Sequence, residues 1–523
     1  MSGIPVFSSG TSLQSSGASV SAQIPADSAG MLPLFVRVTA TAAGYFRLSQ
    51  DGASASIGDL LIQPSDGLIL KTCGLSQFSF VSHSGASTVT VTPIDVGGIK
   101  YPTNIFTPAA LFTTGVNGAW YDPSDFSTLF QDAAGTTPVT AVGQPVGRIL
   151  DKSGRGNHAF NPSGNSANFP VLSARYNLLT KTEDFSDAVW NKLQTTVTAN
   201  YSSSPIGDTS ADRVVAIGGT PSATYIQQGY ATTLGNNVTY VYSVWLKSNT
   251  ASNQTLRLKN SQLGVVDNFS SNLTVTPDWN RFVFSVTNGA SSGTGQAVGI
   301  VCDTSNMAFD IVAWGADLRV ANDALNQPAY QRVNTATDYD TVGFKPYLAF
   351  NGVNQWLQTN SIDFTYGDKM FVSAGVRKLS DAATAIVAEM SANYAGNNGV
   401  FALFSPGAAN SYQYDLVFKG TAASEVFVNS LTYAAPITNV VSGIGNISAP
   451  SATLRVNANQ VAQNTTSQGT GNYGNYPMYI GSRAGSSLWF NGRLYGLVVA
   501  GKAASANEIA STEAWLNQKT GAY

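Results

Sequence analysis

Charged side chains are scarce in this sequence. Asp, Glu, Lys and Arg together make up 11% of the 523 residues, against roughly 25% in an average globular protein. Hydrophobic residues nevertheless reach 43% and aromatic residues 11%, so the chain has enough apolar surface to fold rather than stay disordered. The formal net charge is -3. Because the chain carries no basic stripe, we do not expect nucleic acid as a partner.

Cysteine, histidine and long apolar runs are also rare. The two cysteines, Cys73 and Cys302, are too few for a secreted disulfide framework, and we expect them to be buried free thiols. His83 and His158 fall in different predicted domains, so neither a Ser-His-Asp relay nor a His/Cys metal site is indicated. The N-terminus MSGIPVFSSG lacks the pattern of a signal peptide, and no run of about 18 apolar residues predicts a membrane span. We expect a soluble protein made in a cytoplasm.

What the chain does contain is period-two alternation of apolar and polar residues. Segments such as LFVRVTATAAGYFRLS (34–49), NNVTYVYSVWLKS (236–248) and KMFVSAGVRK (369–378) predict strands, and Gly, Asn, Asp and Ser clusters between them predict turns. One helix is predicted in SANEIASTEAWLNQKTG (505–521), where Ser505 and Glu508 form a capping box. Its buried face should contain Ile509, Trp515 and Leu516. The length suggests about three domains.

Two sets of segments resemble known β-sandwiches. GAWYDPSDFSTLFQDAAGTTPVTAVGQPVGRILDKSGRGNHAF (118–160) and LAFNGVNQWLQT (348–359) resemble a concanavalin-A-like, laminin-G-like jelly roll of bacteriophage virion proteins. Between them, NLLTKTEDFSDAVWNK (177–192) and DIVAWGADLRV (310–320) resemble a carbohydrate-binding-module-like sandwich of phage structural proteins. The resemblance implies that one sandwich is inserted into the other. A domain insertion costs little stability when it lies in a surface loop.

The predicted fold class is therefore all-β, with several β-sandwich or jelly-roll domains in tandem, one inserted into another, and a short C-terminal helix. The predicted domains are an N-terminal β-domain (1–97) that anchors the chain to a virion, a linker (98–107), a discontinuous jelly roll (108–175 and 341–523) and an inserted sandwich (176–340).

The stretch DKSGRGNH (151–158) combines two glycines, two cations and a histidine. It lacks the Lys-Ser/Thr ending of a phosphate-binding loop and no helix follows, so we interpret it as a tight turn organised by Asp151 and Asn157. The alternative is a calcium or sugar contact at these two residues. Calcium is the one cofactor that the sequence suggests, with Asp122, Asp125 and Asp151 as candidate oxygen ligands.

No catalytic acid pair is evident. Glycosidases need two carboxyl groups flanking the scissile bond, and concanavalin-A-like enzymes usually place them at alternate positions of one strand. Asp338 and Asp340 alternate, but in a segment between domains, and Glu389 is a lone acid on a predicted strand. The sequence therefore predicts a protein that is not an enzyme.

Sugar binding requires exposed aromatic rings beside hydrogen-bonding side chains. The candidates are Tyr394 and Asn397 in ANYAGNNG, and Tyr473 and Tyr476 in GNYGNYPMY, because these Gly/Asn-rich loops offer no obvious core to fill. The alternative is loop packing or a subunit contact. Five tryptophans on strand patterns or family motifs are expected in the core: Trp120, Trp190, Trp245, Trp314 and Trp356.

The resemblance implies a structural protein on the exterior of a bacteriophage virion, as a head decoration or as a head, neck or tail fibre. Its lectin-like domains are expected to bind host-surface glycans without catalysis. Expected partners are other virion proteins (capsid, neck or tail) and further copies of the chain, as a homo-oligomer such as a trimer, with no membrane insertion. Two alternatives stay open: a polysaccharide depolymerase of a tail spike, and a capsid cement with no ligand.

Overall fold

The structure is a computed structural model. It describes residues 10–26, 33, 35–49, 53–64, 67–72, 75–94, 106–221, 223–231, 238–262, 267–289, 295–320, 329–428 and 431–523. Cys73 and the predicted linker up to residue 105 lie outside these ranges. The chain divides into two compact units, Met1–Thr107 and Pro108–Tyr523. Within the described ranges there are six antiparallel sheets and a single α-helix, which confirms the predicted fold class.

The N-terminal unit contains two four-stranded sheets with the strand orders β1-β8-β3-β6 and β2-β7-β4-β5. Alternate residues point inward, so that Phe46, Phe80 and Val91 share one core. The strands are β1 (Thr11–Ser15), β2 (Val20–Gln23), β3 (Phe35–Ala40), β4 (Gly44–Ser49), β5 (Leu60–Ile62), β6 (Leu68–Lys71), β7 (Gln77–Ser82) and β8 (Ser87–Ile94).

The larger unit contains an outer sandwich of two large sheets. In spatial order, the first sheet consists of β10 (Leu129–Phe130), β11 (Arg148–Ile149), β12 (Ala159–Phe160), β25 (Leu357–Asp363), β34 (Asn475–Ile480), β27 (Ile386–Met390), β28 (Val400–Phe404), β29 (Tyr414–Lys419) and β30 (Ala423–Val428). The second consists of β13 (Val171–Ser173), β24 (Tyr347–Asn351), β35 (Asn491–Ala500), β26 (Lys369–Lys378), β31 (Ile437–Asn446), β32 (Ser451–Val456) and β33 (Asn459–Asn464), with β9 (Gly118–Tyr121) also paired to β35.

The strands between β13 and β24 form a second sandwich. One of its sheets has the order β14 (Asn191–Leu193), β17 (Tyr225–Ala231), β22 (Gly295–Cys302), β19 (Gln254–Gln262) and β20 (Leu273–Val275). The other has the order β15 (Thr195–Ser202), β16 (Ala211–Ala216), β23 (Phe309–Val320), β18 (Thr239–Ser248) and β21 (Asn280–Thr287). We call this the inserted sandwich, because β13 and β24 are paired across it in the outer sandwich. Cys302 is a buried free thiol in its core, as predicted.

A buried glutamine joins the two chain segments that enter and leave the inserted sandwich. The Gln331 side-chain oxygen accepts hydrogen bonds from the backbone N–H groups of Tyr176 (2.7 Å) and Asn177 (3.0 Å). Its amide nitrogen donates to the carbonyl oxygens of Ala174 and Asp340, both at 2.8 Å. Because Gln331 is fully buried, these four bonds hold the ends of the insertion side by side.

The helix α1 (Ala506–Thr520) begins and ends as the sequence predicts. Ser505 and Glu508 form the capping box, and Gly521 ends the helix in the left-handed region at φ 61°. Trp515 and Leu516 are buried. Ile509 is predicted to point inward, but its side chain is only half-buried in the structure. In the described ranges, no helix has the length and apolarity needed to cross a membrane.

Candidate functional site

The outer face of one sheet of the inserted sandwich carries a concentration of aromatic rings. Strand β18 alternates strictly, so Tyr242, Val244 and Leu246 point into the core while Trp245 and Lys247 point outward. Across the sheet, Trp245 lies opposite Trp314 on β23. We call the surface formed by Trp245, Trp279, Trp314 and Tyr330 the tryptophan face; these rings pack together away from the main core.

The rings of the tryptophan face are held in place by short contacts. The ring centroids of Trp314 and Tyr330 lie 4.7 Å apart. The indole Nε1 of Trp314 donates to Ser210 Oγ at 2.8 Å, and that of Trp279 donates to the Ser203 carbonyl oxygen at 3.3 Å. Trp314 is only 3% exposed, whereas Trp245, Trp279 and Tyr330 are half-buried. The face therefore offers partly accessible rings in fixed positions.

Polar and charged groups border these rings. Arg213 donates to Asp310 through two bonds, Nε to Oδ1 at 2.9 Å and Nη2 to Oδ2 at 2.6 Å, and Asn249 Nδ2 donates to the same carboxylate at 3.2 Å. Hydrogen bonds from Arg213 and then Asn249 lower the pKa of Asp310 despite partial burial. Lys247 Nζ lies 5.0 Å from the centroid of the Trp279 ring. Rings, a carboxylate, an amide and an ammonium thus share one surface.

A polar cleft of about 290 Å³ adjoins the tryptophan face. Its lining includes Glu183, Asp212, Arg332 and Ser210, the last of which also holds Trp314. Burial raises the pKa of Glu183 to about 7. Burial also raises the pKa of Asp212 to about 6, against the effect of its bonds from backbone N–H groups. Glu183 is therefore partly protonated near neutral pH and can donate as well as accept hydrogen bonds. Asp212 stays mostly ionised at that pH, and both of its oxygens accept from backbone N–H groups.

The stretch DKSGRGNH is a turn built around one buried carboxylate. Asp151 Oδ1 accepts from the backbone N–H groups of Trp120 (2.9 Å) and Ser153 (2.8 Å). Its Oδ2 accepts from Ser153 Oγ (2.6 Å) and the Asn157 N–H (3.0 Å). Gly154 and Gly156 lie at φ 79° and 74°, where residues with a side chain are strained. The turn interpretation is confirmed.

The three predicted calcium ligands contact other groups of the chain. Asp122 accepts from Lys519 Nζ at 2.9–3.0 Å, and Asp125 accepts from Lys152 Nζ at 2.5 Å. The oxygens of Asp151 are taken up by the turn. In the ranges that the structure covers, no group of three or more His, Cys, Asp or Glu side chains suits a metal ion. The geometry gives no support to calcium at Asp122, Asp125 and Asp151, because lysines and backbone N–H groups already contact these carboxylates. Calcium binding there stays a prediction.

The predicted sugar-binding residues differ in how deeply their side chains are buried. Tyr473 is 1% exposed and its ring packs edge-on against Phe418 in the main core, so its prediction as an exposed ring is wrong. Tyr476 is half-buried and packs on the same core. Tyr394 is half-buried between Phe404 and the Arg483 guanidinium, which lies 5.2 Å from its ring centroid. Asn397 Nδ2 donates within its own loop, to Ser391 Oγ at 3.3 Å. Sugar binding at Tyr394, Tyr476 and Asn397 stays a prediction.

Three acids share the outer face of the nine-stranded sheet, although they come from three different strands. Glu389, Ala402, Val417 and Glu425 are paired in one cross-strand row, and Asp415 lies beside Glu425. Glu389 is fully buried and ion-paired with Arg483 at 3.0 Å. Sequence alternation within one strand gives no sign of this grouping, because it depends on the register between strands.

The sequence analysis also does not predict the tryptophan face. Trp245 was expected in the core, yet it lies on the outer face. Trp314 is buried but belongs to the same outer cluster, while Trp190 is in the main core of the inserted sandwich. The alternation of YVYSVWLKS contains the necessary signal, since a core set at 240, 242, 244 and 246 leaves Trp245 on the opposite side.

No protein-family model matches this chain, and no curated protein matches it. Among solved structures, carbohydrate-binding module 40 of the Ruminococcus gnavus IT-sialidase, bound to α2,3-sialyllactose, is 13% identical with a TM-score of 0.23, covering 30% of this chain and 97% of that one. A heptameric SAP-like pentraxin from Limulus polyphemus is 11% identical with a TM-score of 0.25, covering 31% of this chain and 78% of its own. A CBM4 structure is 16% identical with a TM-score of 0.19, covering 24% of this chain and 86% of that one.

These are distant structural similarities to carbohydrate-binding-module-like and pentraxin-like β-sandwich domains. They concern the fold. The role in a phage virion is not tested by them and stays a prediction.

Proposed function

We propose that this chain is a glycan-binding protein without catalytic activity, and that it is carried on the exterior of a bacteriophage particle. The observation that supports glycan binding is the tryptophan face, where Trp245 and Trp279 are partly accessible beside Lys247 and the Arg213–Asp310 pair. The C–H faces of a sugar ring pack on aromatic rings, while its hydroxyl groups need donors and acceptors at the edge. The tryptophan face supplies both kinds of contact.

The polar cleft extends this surface for a longer glycan. Ser210 and Tyr330 connect the two, since Ser210 lines the cleft and Tyr330 Oη lies 2.7 Å from the hydroxyl of Thr182, another lining residue. A chain of sugar residues that stacks on Trp245 and Trp279 would have its next hydroxyl groups near Glu183. The partly protonated Glu183 suits hydroxyl groups, which both donate and accept.

The proposal is tested by replacing single rings in the full chain. Trp279→Ala and Trp245→Ala are each expected to weaken binding to the glycans that the wild type selects on a printed array by about tenfold or more, equivalent to about 1.4 kcal/mol. Tyr523→Ala removes an exposed ring outside the face and serves as the matched control. Equal affinities for wild type and both tryptophan variants would overturn the assignment of the site.

The absence of catalysis is proposed from the sequence, in which no predicted strand carries two acids at alternate positions. Asp310 is held ionised by Arg213, which leaves it unable to act as the general acid that glycoside hydrolysis needs. Glu183 in the polar cleft, whose pKa is raised to about 7, is the acid on which the depolymerase alternative would depend. The depolymerase alternative is tested by incubating the chain with host polysaccharide and measuring new reducing ends. Release of oligosaccharide at a rate above that of the buffer control would establish an enzyme instead.

The virion role is proposed from the sequence resemblance alone. On this proposal the N-terminal unit anchors the chain to capsid, neck or tail proteins, and several copies present weak glycan sites that together give avidity. Cryo-electron microscopy of intact particles tests it, with density for the chain expected on the outer surface. Particles that lack the chain and adsorb normally, but break on heating, would favour the cement alternative.

A further inference from the structure

A second cavity lies on the outer sandwich, away from the strands of the tryptophan face. It has a volume of about 330 Å³. We call it the tyrosine cleft, and the residues used below to define it are Gly115, Asn117, Arg155, Asp363, Tyr366 and Gly501. Arg155 belongs to the DKSGRGNH turn. This stretch therefore contributes to the cleft as well as forming a turn.

The ring of Tyr366 is the most exposed aromatic group at this cleft, at 91%. It nevertheless sits on a firmly held loop. Asp363 Oδ1 accepts from the N–H (2.9 Å) and the hydroxyl (2.6 Å) of Thr365, and the Thr365 carbonyl accepts from Asn472 Nδ2 at 2.6 Å. The Gly367 carbonyl accepts from the Tyr473 N–H at 2.9 Å. The loop is therefore ordered before a ligand binds, so that binding to the ring costs the rotamer entropy of the Tyr366 side chain but not the entropy of ordering the loop.

A cation and an anion also line the cleft, Arg155 and Asp363, and no ion pair joins them in the described ranges. Arg155 Nη2 donates to the carbonyl oxygens of Phe112 (2.9 Å) and Thr113 (2.5 Å), which fixes the guanidinium. Its Nε and Nη1 have no partner in the described ranges, and the same holds for Asp363 Oδ2. Thr365 hydrogen bonds lower the pKa of Asp363, so it is ionised at neutral pH. One fixed donor group and one fixed acceptor group are thus available.

The third side of the cleft is preorganised by an asparagine. Asn117 Nδ2 donates to the Asp363 carbonyl oxygen at 2.7 Å, and its Oδ1 accepts from the Gly118 N–H at 3.0 Å and from Asn157 Nδ2 at 3.3 Å. Gly115 and Gly501 leave the neighbouring wall without side chains. A flat ligand therefore has room to approach the backbone while it lies against Tyr366.

We infer that the tyrosine cleft is a second glycan site, which takes a neutral sugar residue. The volume is at the lower end of the range for small-molecule sites, which fits one or two sugar rings. The charges of Arg155 and Asp363 balance, so a ligand with a net charge gains nothing overall. A sugar hydroxyl pair donates to the carboxylate and accepts from the guanidinium while the ring packs on Tyr366. The inference goes beyond the proposed function, because it concerns the other sandwich.

The test uses the full chain on a printed array of neutral and acidic oligosaccharides, followed by calorimetric titration with the neutral ones that bind. Tyr366→Ala, whose ring is exposed and contributes no core packing, and Arg155→Met are each expected to weaken binding of neutral oligosaccharides at least tenfold. Tyr523→Ala, which removes an exposed ring that lines neither cavity, serves as the matched control and is expected to leave the binding of neutral oligosaccharides unchanged. Trp279→Ala is measured alongside, so that the two sites can be told apart.

The outcomes separate this inference from the proposed function. Loss only in Trp279→Ala would overturn the inference and leave the tryptophan face standing. Loss only in the Tyr366 and Arg155 variants would support the inference and remove the support for the tryptophan face. A wild-type chain that binds no glycan on the array would overturn both.

Discussion

Replacing Gln331 by leucine is expected to loosen the junction between the outer and the inserted sandwich. The leucine side chain has a similar size but no polar atoms, so all four hydrogen bonds of the glutamine are lost. The backbone groups of the buried Ala174 and Asn177 would then be left without these partners. Buried polar groups without partners are costly, because water cannot replace the lost bond.

The magnitude follows from the four bonds. Each net hydrogen bond stabilises by roughly 0.5–1.5 kcal/mol, and each buried group left unpaired costs about 1–3 kcal/mol. These contributions overlap, and single substitutions rarely exceed about 4–5 kcal/mol. We therefore expect Gln331→Leu to lower the free energy of unfolding by about 3 kcal/mol. For a cooperative unit of about 150–250 residues this corresponds to a fall of roughly 6–12 °C in the melting midpoint.

Differential scanning calorimetry of the full chain measures this fall directly. Gln463→Leu is the matched control, because Gln463 is exposed and its amide contacts only two other surface side chains in the described ranges, Ser451 at 3.0 Å and Gln460 at 3.5 Å. The midpoint of this variant should move by less than about 2 °C. If the two variants unfold at the same temperature, the bonds of Gln331 do not hold the junction, and the reasoning from burial and hydrogen bonding is refuted.

The remaining predictions concern a turn, a titration and a helix cap. Asp151→Ala should lower the free energy of unfolding by about 2–4 kcal/mol in a denaturant titration, and added calcium should leave the wild-type midpoint unchanged; stabilisation by calcium would support the metal site. The pKa of Glu183 is raised from 4.5 to about 7, so its contribution to stability is complete below pH 4.5 and is lost as the pH rises through 7. The free energy of unfolding of Glu183→Gln, relative to that of the wild type, should therefore rise by about 1–2 kcal/mol from pH 4 to pH 8, after allowance for the partial exposure of the side chain. A difference between the two proteins that does not change with pH would contradict this. Ser505→Ala should cost about 1 kcal/mol in the same titration, whereas a cost no larger than that of Ser511→Ala would show that the cap adds nothing.

The fold class was predictable because strand alternation is a local property. The segment 369–378 is a strand over the same residues in the structure, and the predicted segment 236–248 contains the strand β18, Thr239–Ser248. The helix was predictable for a similar reason, since the capping box at Ser505 involves only residues three apart. Local sequence decides these elements before any long-range contact forms.

The candidate site was not predictable to the same extent. Tyr473 lies among glycines and asparagines, which suggests an exposed loop, but the loop turns its ring into the main core. The grouping of Glu389, Asp415 and Glu425 depends on how β27 to β30 are aligned, which no single segment contains. Trp279 directly precedes β21, outside the alternating part, so its place on the tryptophan face depends on how β21 pairs with β18.

The pairing of β9 with β35 has a consequence for how the chain folds during synthesis. β9 emerges early, yet its partner is the last strand made before the helix. At roughly 5–20 residues per second, the first strands of the outer sandwich wait tens of seconds for their neighbours, while the whole inserted sandwich has already left the ribosome. Contacts so distant in sequence form slowly. Unpaired strand edges are exposed during this interval, so truncation of the C-terminal segment should cause aggregation rather than a smaller folded product.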